Sequence, residues 1–310
     1  MASKQKLIIV LGPTATGKTD VAVKLAREFN GEIVSADSMQ VYRFMDIGTA
    51  KPSLVERSSA RHHLIDIIDP DEDYNASLYR QDTLKAIEDI KSRGKNIIVA
   101  GGTGLYINIL LYGLSDAPEG SDEIRERLET EAEEKGREYL HDRLKEVDPK
   151  SAENIPAGNI HRLIRALEVF EITGKPFSFF AEEHSFKDSE FDTLKIASKV
   201  CFDREALYER VNKRVSSMVQ QGLEGEVQEL LEQGFSTDLK SLNSLGYKEM
   251  VEYIKGETSL EEAVEKIKQN TRRYAKRQLT WFKRDETIEY LDFNDFESIR
   301  SLAESFLQKN

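Results

Sequence analysis

A single cysteine, Cys201, stands among 310 residues. That excludes an intramolecular disulfide framework and any zinc site built on several thiolates. Histidine is scarce too: His62, His63, His141, His161 and His184 are the full set. No two of them have the H-E-x-x-H spacing, and His62 and His63 point to opposite sides of an extended chain, so all five read as structural or surface residues. No stretch approaches the roughly 18 apolar residues of a membrane-spanning helix. The opening Met-Ala-Ser-Lys-Gln-Lys lacks the apolar segment of a secretory signal. With the lone thiol, this gives the expectation of a soluble cytoplasmic protein. Basic charge is in deficit, with 44 Lys and Arg against 56 Asp and Glu, for a net charge of −12. Such a balance argues against a coat spread indifferently over nucleic acid. The deficit is local, however. Residues 119–150 hold 12 acidic and 7 basic side chains, whereas 271–284 ("TRRYAKRQLTWFKR") hold six basic and no acidic ones.

What is present is an alternation of strand and helix signals over the first 112 residues. Leu7–Leu11 reads as a buried strand, Lys18–Phe29 as a helix and Glu32–Ser35 as a short strand. "HLIDIID" (63–69) reads as extended, a helix capped at Asn75 or Ser77 runs to about Ser92, and Asn96–Ala100 is a strand before "GGTGLY" and another apolar helix. This pattern predicts an α/β fold, a P-loop NTPase-like parallel sheet flanked by helices, with ligands at the carboxyl ends of the strands. From about residue 116 the texture turns charged and helical. Residues 119–190 are read as an all-helical insertion, leaving 1–118 and 191–310 as the core. "SFFAEEHSFKDSEFD" reads as a loop back, "KIASKVCF" (195–202) as a resumed strand, and helices are expected at 203–221, 223–233, 244–255 and 259–284. A last strand at "TIEYL" and a helix at about 295–308 complete the core. No internal repeat or low-complexity tract stands out.

The sharpest local signal is "GPTATGKT": Gly12, Pro13, Thr14, Ala15, Thr16, Gly17, Lys18 and Thr19 directly after the first strand. Backbone N–H groups in such a loop point inward and the following helix presents its positive end, so the loop cradles phosphate. Lys18 supplies a point charge to it, and the Thr19 hydroxyl is placed to ligate Mg²⁺. A nucleoside triphosphatase would also carry a Walker-B aspartate at a second strand end. Here "NIIVA" runs into Gly101-Gly102-Thr103-Gly104, and the only acidic rivals are Asp66 and Asp69. A diphosphate cradle facing a hydroxyl, Thr103, is left. Asp37 in "SADSMQVY" follows the second strand, where a carboxylate can accept a proton from an incoming nucleophile or simply cap a helix.

Taken in order, "GPTATGKT", "SADSMQVY", "GGTGLY", "HRLIRALEVFEITGKP", "RVSSMVQQGLEGEV", "LGYKE" and "YAKRQLTWFKR" resemble the bacterial tRNA dimethylallyltransferases, the tRNA isopentenyltransferase or IPP transferase family, from about residue 7 to 284. Eukaryotic members often add a zinc finger, for which this chain has no cysteines. The resemblance implies a transferase that moves a dimethylallyl group from dimethylallyl diphosphate to N6 of the adenosine 3′-adjacent to the anticodon. It implies that the phosphate loop holds the prenyl diphosphate, that Asp37 accepts from or deprotonates the adenine N6, and that Thr103 donates to the bridging oxygen of the leaving group. Arg214, the first residue of "RVSSM", matches the position that reaches the diphosphate, although alone it reads as a solvated helix arginine. "DSMQ", here Asp37, Ser38, Met39 and Gln40, matches the segment at the target base, which must be splayed from its stack to be reached.

Further out, Arg273, Arg277, Trp281 and Arg284 make one stripe on a helix. The stripe is either a solvated face or a surface for phosphate contact and base stacking; the resemblance implies the second. Arg162 and Arg165 match another tRNA-contacting segment, in which His161 stands where glutamine is usual. "EIRER" (123–127), with Arg125, Glu126 and Arg127, opens the insertion expected to clamp the anticodon stem-loop. The expected partners are thus tRNA and the prenyl diphosphate, with Mg²⁺ as cofactor, no membrane and a monomeric chain. Two enzymatic rivals share the loop and Asp37: a small-molecule P-loop kinase and an adenylate isopentenyltransferase. A non-enzymatic RNA-binding module is the third class.

Overall fold

The apolar run after residue 6 becomes a central strand because both of its faces are covered, as in parallel sheets flanked by helices. In this computed structural model, which describes residues 4–183 and 189–309, β1 (Gln5–Leu11) has Leu7 to Leu11 all buried. Helix α1 (Lys18–Glu28) follows the phosphate loop and leads to β2 (Gly31–Ala36). Then come α2 (Leu54–Ser59), β3 (His62–His63), α3 (Ala76–Ser92), β4 (Asn96–Gly101) and α4 (Gly104–Tyr112). The chain returns as β5 (Phe191–Ser198) after the segment α5 (Asp122–Lys135), α6 (Arg137–Val147), α7 (Pro149–Asn154), α8 (Ile160–Thr173) and α9 (Phe177–Glu183). It closes with α10 (Arg204–Gln220), α11 (Leu223–Glu232), α12 (Tyr247–Ile254), α13 (Leu260–Phe282), β6 (Ile288–Leu291) and α14 (Phe296–Gln308).

The sheet has six strands in the order β3-β2-β4-β1-β5-β6, and the pairs are parallel. Register then does the positioning. Leu11 pairs with Gly101 and Gly101 with Ala36, so three strands end level. The phosphate loop, Thr103 and Asp37 therefore leave the same edge in adjacent columns. Gly101 is required at that junction, since a Cβ there would lie 2.1 Å from the Ala36 carbonyl oxygen.

Local chemistry explains most element boundaries. Asn75 caps α3 by accepting from the N–H groups of Ser77 and Leu78. Asp203 caps α10, after a single 3₁₀ turn at Lys199–Phe202 that ends the expected strand at Ser198. Of "HLIDIID", only His63 belongs to β3, and Ile68 makes one isolated parallel bridge to Tyr42, because Leu64 and Asp66 take positive φ and turn the chain. The short α2 was not anticipated; a reciprocal Ser53–Glu56 capping box starts it. Of "SFFAEEHSFKDSEFD", the first part belongs to α9 and the last to β5, while residues 184–188, with His184, lie outside the described residues.

The sheet packs Ile8, Val10, Ile98 and Ile196 against Val21 and Leu25 of α1 and Ile299, Ala303 and Phe306 of α14. A second apolar cluster joins Val41, Tyr42 and Met45, just after β2, to Leu223, Val227, Tyr247, Met250 and Ile267 of α11–α13. Tyr112–Ser189 forms a compact unit of its own, beginning seven residues before the expected edge at 119. Its core is Leu128, Leu140, Leu144, Leu163 and Leu167, contributed by α5, α6 and α8. Among the described residues no helix is long and apolar enough to cross a membrane.

Candidate active site

Glycine and alanine shape the phosphate loop. Gly12, Ala15 and Gly17 all have positive φ, and Gly17 is the N-cap of α1, so successive backbone N–H groups can curve around an anion. Thr16, fully buried, bonds to the Pro13 carbonyl at 2.9 Å, and Lys18 Nζ donates to the same carbonyl at 2.7 Å. Burial, and next the charge of Arg214, lower the pKa of Lys18 to about 8; Asp37 acts in the opposite direction. Burial likewise depresses the pKa of Arg214, again opposed by Asp37. Two cations thus share one partly dehydrated region, an arrangement that favours a multiply charged anion between them. Cys201 lies beneath the loop, and burial pushes its thiol up to about 11.

A cavity of about 370 Å³ opens on this loop. Thr14, Lys18 and Thr19 line it from one side and Asp37, Ser38, Met39 and Gln40 from another, with Arg214 and Arg277 also on its wall. Asp37 is not a helix cap. Its Oδ1 accepts the Met39 N–H at 2.9 Å in a local turn. The Thr103 hydroxyl accepts the Ser38 N–H at 3.2 Å, which ties the ends of β2 and β4 together and leaves the hydroxyl proton for another acceptor. Gln40 is engaged internally, accepting from Ser35 Oγ at 3.0 Å. His62, read as structural or surface, lines the cavity. His63 bonds to Glu32 at 2.7 Å and His141 to the Ala152 carbonyl at 3.1 Å. The two acidic rivals are occupied elsewhere: Asp66 binds Lys51 and Arg57, Asp69 binds Arg43, and neither lines the cavity.

Two residues of the site escaped the sequence reading. Gln278 is buried, accepts the Thr14 N–H at 3.0 Å and donates to the Gly102 carbonyl at 2.9 Å. It therefore fastens the phosphate loop to the strand end that carries Thr103. Gly102 leaves room for it, since a Cβ there would lie 2.3 Å from Gln278 Nε2. Tyr274 is also on the wall, and burial followed by the Asp37 charge raises its pKa to about 12. A signal existed for both. Thr271, Ala275, Gln278 and Phe282 recur every three or four residues on the buried face of α13, and a glutamine in such a stripe needs buried partners.

The expected cationic stripe is partly dispersed. Arg277 is exposed and lies 5.7 Å from the centre of the Tyr274 ring, and Arg273 contacts Asn270 of its own helix. Trp281 keeps 42% of its surface exposed while its indole lies where a Gly104 Cβ would be. Arg284 falls beyond the end of α13 at Phe282 and leaves the helical face.

Within the Tyr112–Ser189 unit, Arg162, His161 and Glu126 are exposed. Arg165 turns inward, to Glu168 and to the Pro118 carbonyl at 2.6 Å. Glu168 is fully buried and also binds Arg125 at 2.8 Å and the Ser121 N–H at 2.7 Å. Arg127 pairs with Glu131 and Glu171.

Comparison with known proteins bears on this geometry. The family model for IPP transferase matches residues 40–285. A tRNA dimethylallyltransferase from Geotalea uraniireducens is 52% identical over 290 residues, covering 94% of this chain and 93% of that one. The crystal structure of the tRNA isopentenylpyrophosphate transferase of Bacillus halodurans superposes with a TM-score of 0.71 at 38% identity, covering 98% and 97% of the two chains. A eukaryotic dimethylallyltransferase, described as acting on tRNA, gives 0.80 at 30% identity, over 97% of this chain and 78% of that one. A match of this extent to the family model and to a curated relative places the chain in the IPP transferase family, that of the tRNA dimethylallyltransferases.

Proposed function

We propose that this protein transfers the dimethylallyl group of dimethylallyl diphosphate to N6 of the adenosine 3′-adjacent to the anticodon in tRNA, with release of diphosphate. The supporting observation is the convergence on one cavity of a phosphate loop, two cations and a carboxylate, with Gly101 and Gly102 on its wall and Thr103 next in the chain, where a triphosphatase would carry an acid. The bond between the allylic carbon and the bridging oxygen breaks and its electron pair leaves with the diphosphate. The nitrogen forms the new bond to that carbon, and its proton passes to Asp37. Lys18, Arg214 and the backbone N–H groups of residues 15–19 hold the growing negative charge, and the Thr103 hydroxyl donates to the bridging oxygen. Preorganised donors of this kind are each worth about 10²–10³ in rate.

The donor set also suits Mg²⁺. Thr19 and Asp37 present hard oxygens to the same cavity. Among the described residues no group of three His, Cys, Asp or Glu side chains forms a metal cluster, so an ion held by Thr19 would take its other ligands from diphosphate oxygens and water, the usual mode for this cation. When bound, it supplies further charge neutralisation to the leaving group. Exposed Arg162, Arg273 and Arg277 supply phosphate contacts, Trp281 a stacking surface, and the helical unit a clamp on the stem-loop.

Incubation with labelled dimethylallyl diphosphate and unmodified tRNA, then nucleoside digestion, tests the reading. Label in N6-dimethylallyladenosine from tRNA and none with AMP is the expected result. Label only in AMP, or phosphoryl transfer from ATP, overturns it.

A further inference from the structure

Two of the motifs, "GLEGEV" and "LGYKE", have no part in the chemistry above, yet they meet at one carboxylate. Glu226 on α11 accepts the backbone N–H groups of Asp46 at 2.8 Å, Ile47 at 2.6 Å and Gly48 at 3.0 Å, and the Tyr247 hydroxyl at 2.6 Å. Three successive amides converging on an acceptor form an anion nest, here filled by the protein's own side chain. An ionised acceptor makes each such bond about twice as strong as a neutral one. Gly48 is the point of contact, since a Cβ there would lie 2.4 Å from the Tyr247 ring. Tyr247 is aimed in turn by Gly246, which takes φ +93° and donates its N–H to Glu249 at 2.8 Å.

The other side of this turn faces the active site. Gly48, Thr49 and Ala50 line the cavity. The Thr49 carbonyl meets Arg214 at 3.5 Å, a long contact, and the Ala50 carbonyl faces Gln40 Nε2 at 3.4 Å. Arg214 has no carboxylate bonded to it among the described residues, so its aim depends on packing and on this carbonyl. Past the turn Lys51, whose side chain is 1% exposed, closes onto the Tyr42 carbonyl, Asp46 and Asp66.

Building on the function proposed above, we infer that Glu226, with Tyr247 as its partner, is a positioning residue: it fixes the turn 46–50 so that Arg214 is directed at the diphosphate. Glu226 acts through the turn and does not itself reach the reacting atoms. Gln in its place loses one of the two acceptor positions, and Phe at 247 removes a hydroxyl while keeping the ring that packs on Gly48.

Calorimetric titration with inorganic diphosphate reads this role without requiring turnover. Glu226→Gln should weaken binding about tenfold and Tyr247→Phe about threefold, the scale of one or two hydrogen bonds. In an Arg214→Ala background each change should cost less than about twofold, because residues acting through one another are not additive. Tyr247→Phe should lower the thermal midpoint by no more than several degrees, the scale of one hydrogen bond. Equal losses in both backgrounds, or no loss in either, overturn the inference. Wild-type prenyl transfer to tRNA is assayed alongside: its absence refutes the proposed function, whereas the coupling to Arg214 is decided by the titration.

Discussion

Replacing Gln278 with leucine probes the link between the phosphate loop and the Thr103 strand end. Leucine fills nearly the same volume, so the change leaves no cavity. It does orphan two backbone groups, the Thr14 N–H and the Gly102 carbonyl, now satisfied at 3.0 and 2.9 Å. An unsatisfied buried group costs about 1–3 kcal/mol, so the pair comes to roughly 2–6 kcal/mol if water does not replace the amide. For a chain of this size, about 2–4 °C of thermal midpoint accompanies each kcal/mol, and a fall of roughly 4–24 °C is expected. The kinetic effect should exceed what stability explains. Without the bridge the cradle and the Thr103 hydroxyl are free to shift relative to one another, and a misplacement near 1 Å costs on the order of 10²-fold. Steady-state transfer, measured well below the midpoint, should show kcat/KM reduced by about that factor. Gln278→Glu, which keeps an acceptor for Thr14 but sets a carboxylate against the Gly102 carbonyl, should also be impaired. A leucine variant with kcat/KM within about threefold of wild type would refute the positioning argument, whatever its midpoint.

Asp37→Asn and Thr103→Ala should each lower kcat by about 10²–10³ with tRNA affinity nearly unchanged; wild-type turnover in both would remove their roles. Lys18 is protonated below its pKa of about 8 and neutral above it, so affinity for the prenyl diphosphate should fall as pH rises through that value, and Lys18→Arg should flatten the profile seen by calorimetry. Arg273→Ala and Arg277→Ala should weaken all tRNA substrates alike and reduce the slope of log affinity against log salt by about 0.7–0.9 per lost phosphate contact; an unchanged slope takes that face out of the interface. Arg165→Ala should lower the thermal midpoint because it leaves the buried Glu168 with fewer partners. Arg162→Ala should instead weaken tRNA binding at an unchanged midpoint, and a reversal of this pair would refute the division between them.

Local signals were strong where the physics is local. The apolar run, the glycine spacing and the helix start together define the β1–loop–α1 unit, and Asn75 caps α3 as its side chain implies. Asp37 and Thr103 were legible because both sit one or two residues past a strand, where a parallel sheet delivers its ligands. The weaker readings depended on distant partners. "HLIDIID" has strand composition, yet two residues at positive φ and the ion pairs of Asp66 bend it out of the sheet. Arg165 carries the same charge as Arg162, and only the buried Glu168 three residues on distinguishes an inward arginine from an outward one. Gln278 was hidden in a basic stretch whose exposed face drew attention away from its buried one.

The lone thiol under the phosphate loop has a practical consequence. Cys201 is 2% exposed and held protonated, with a pKa near 11, so maleimide or iodoacetamide reagents, which need an accessible thiolate, should pass it by at neutral pH. A cysteine introduced on the surface, for instance at Glu126 of the helical unit, would then be the sole labelling handle. Fluorophores could be attached at chosen points of an otherwise native sequence, and the approach of RNA to that unit could be followed in real time.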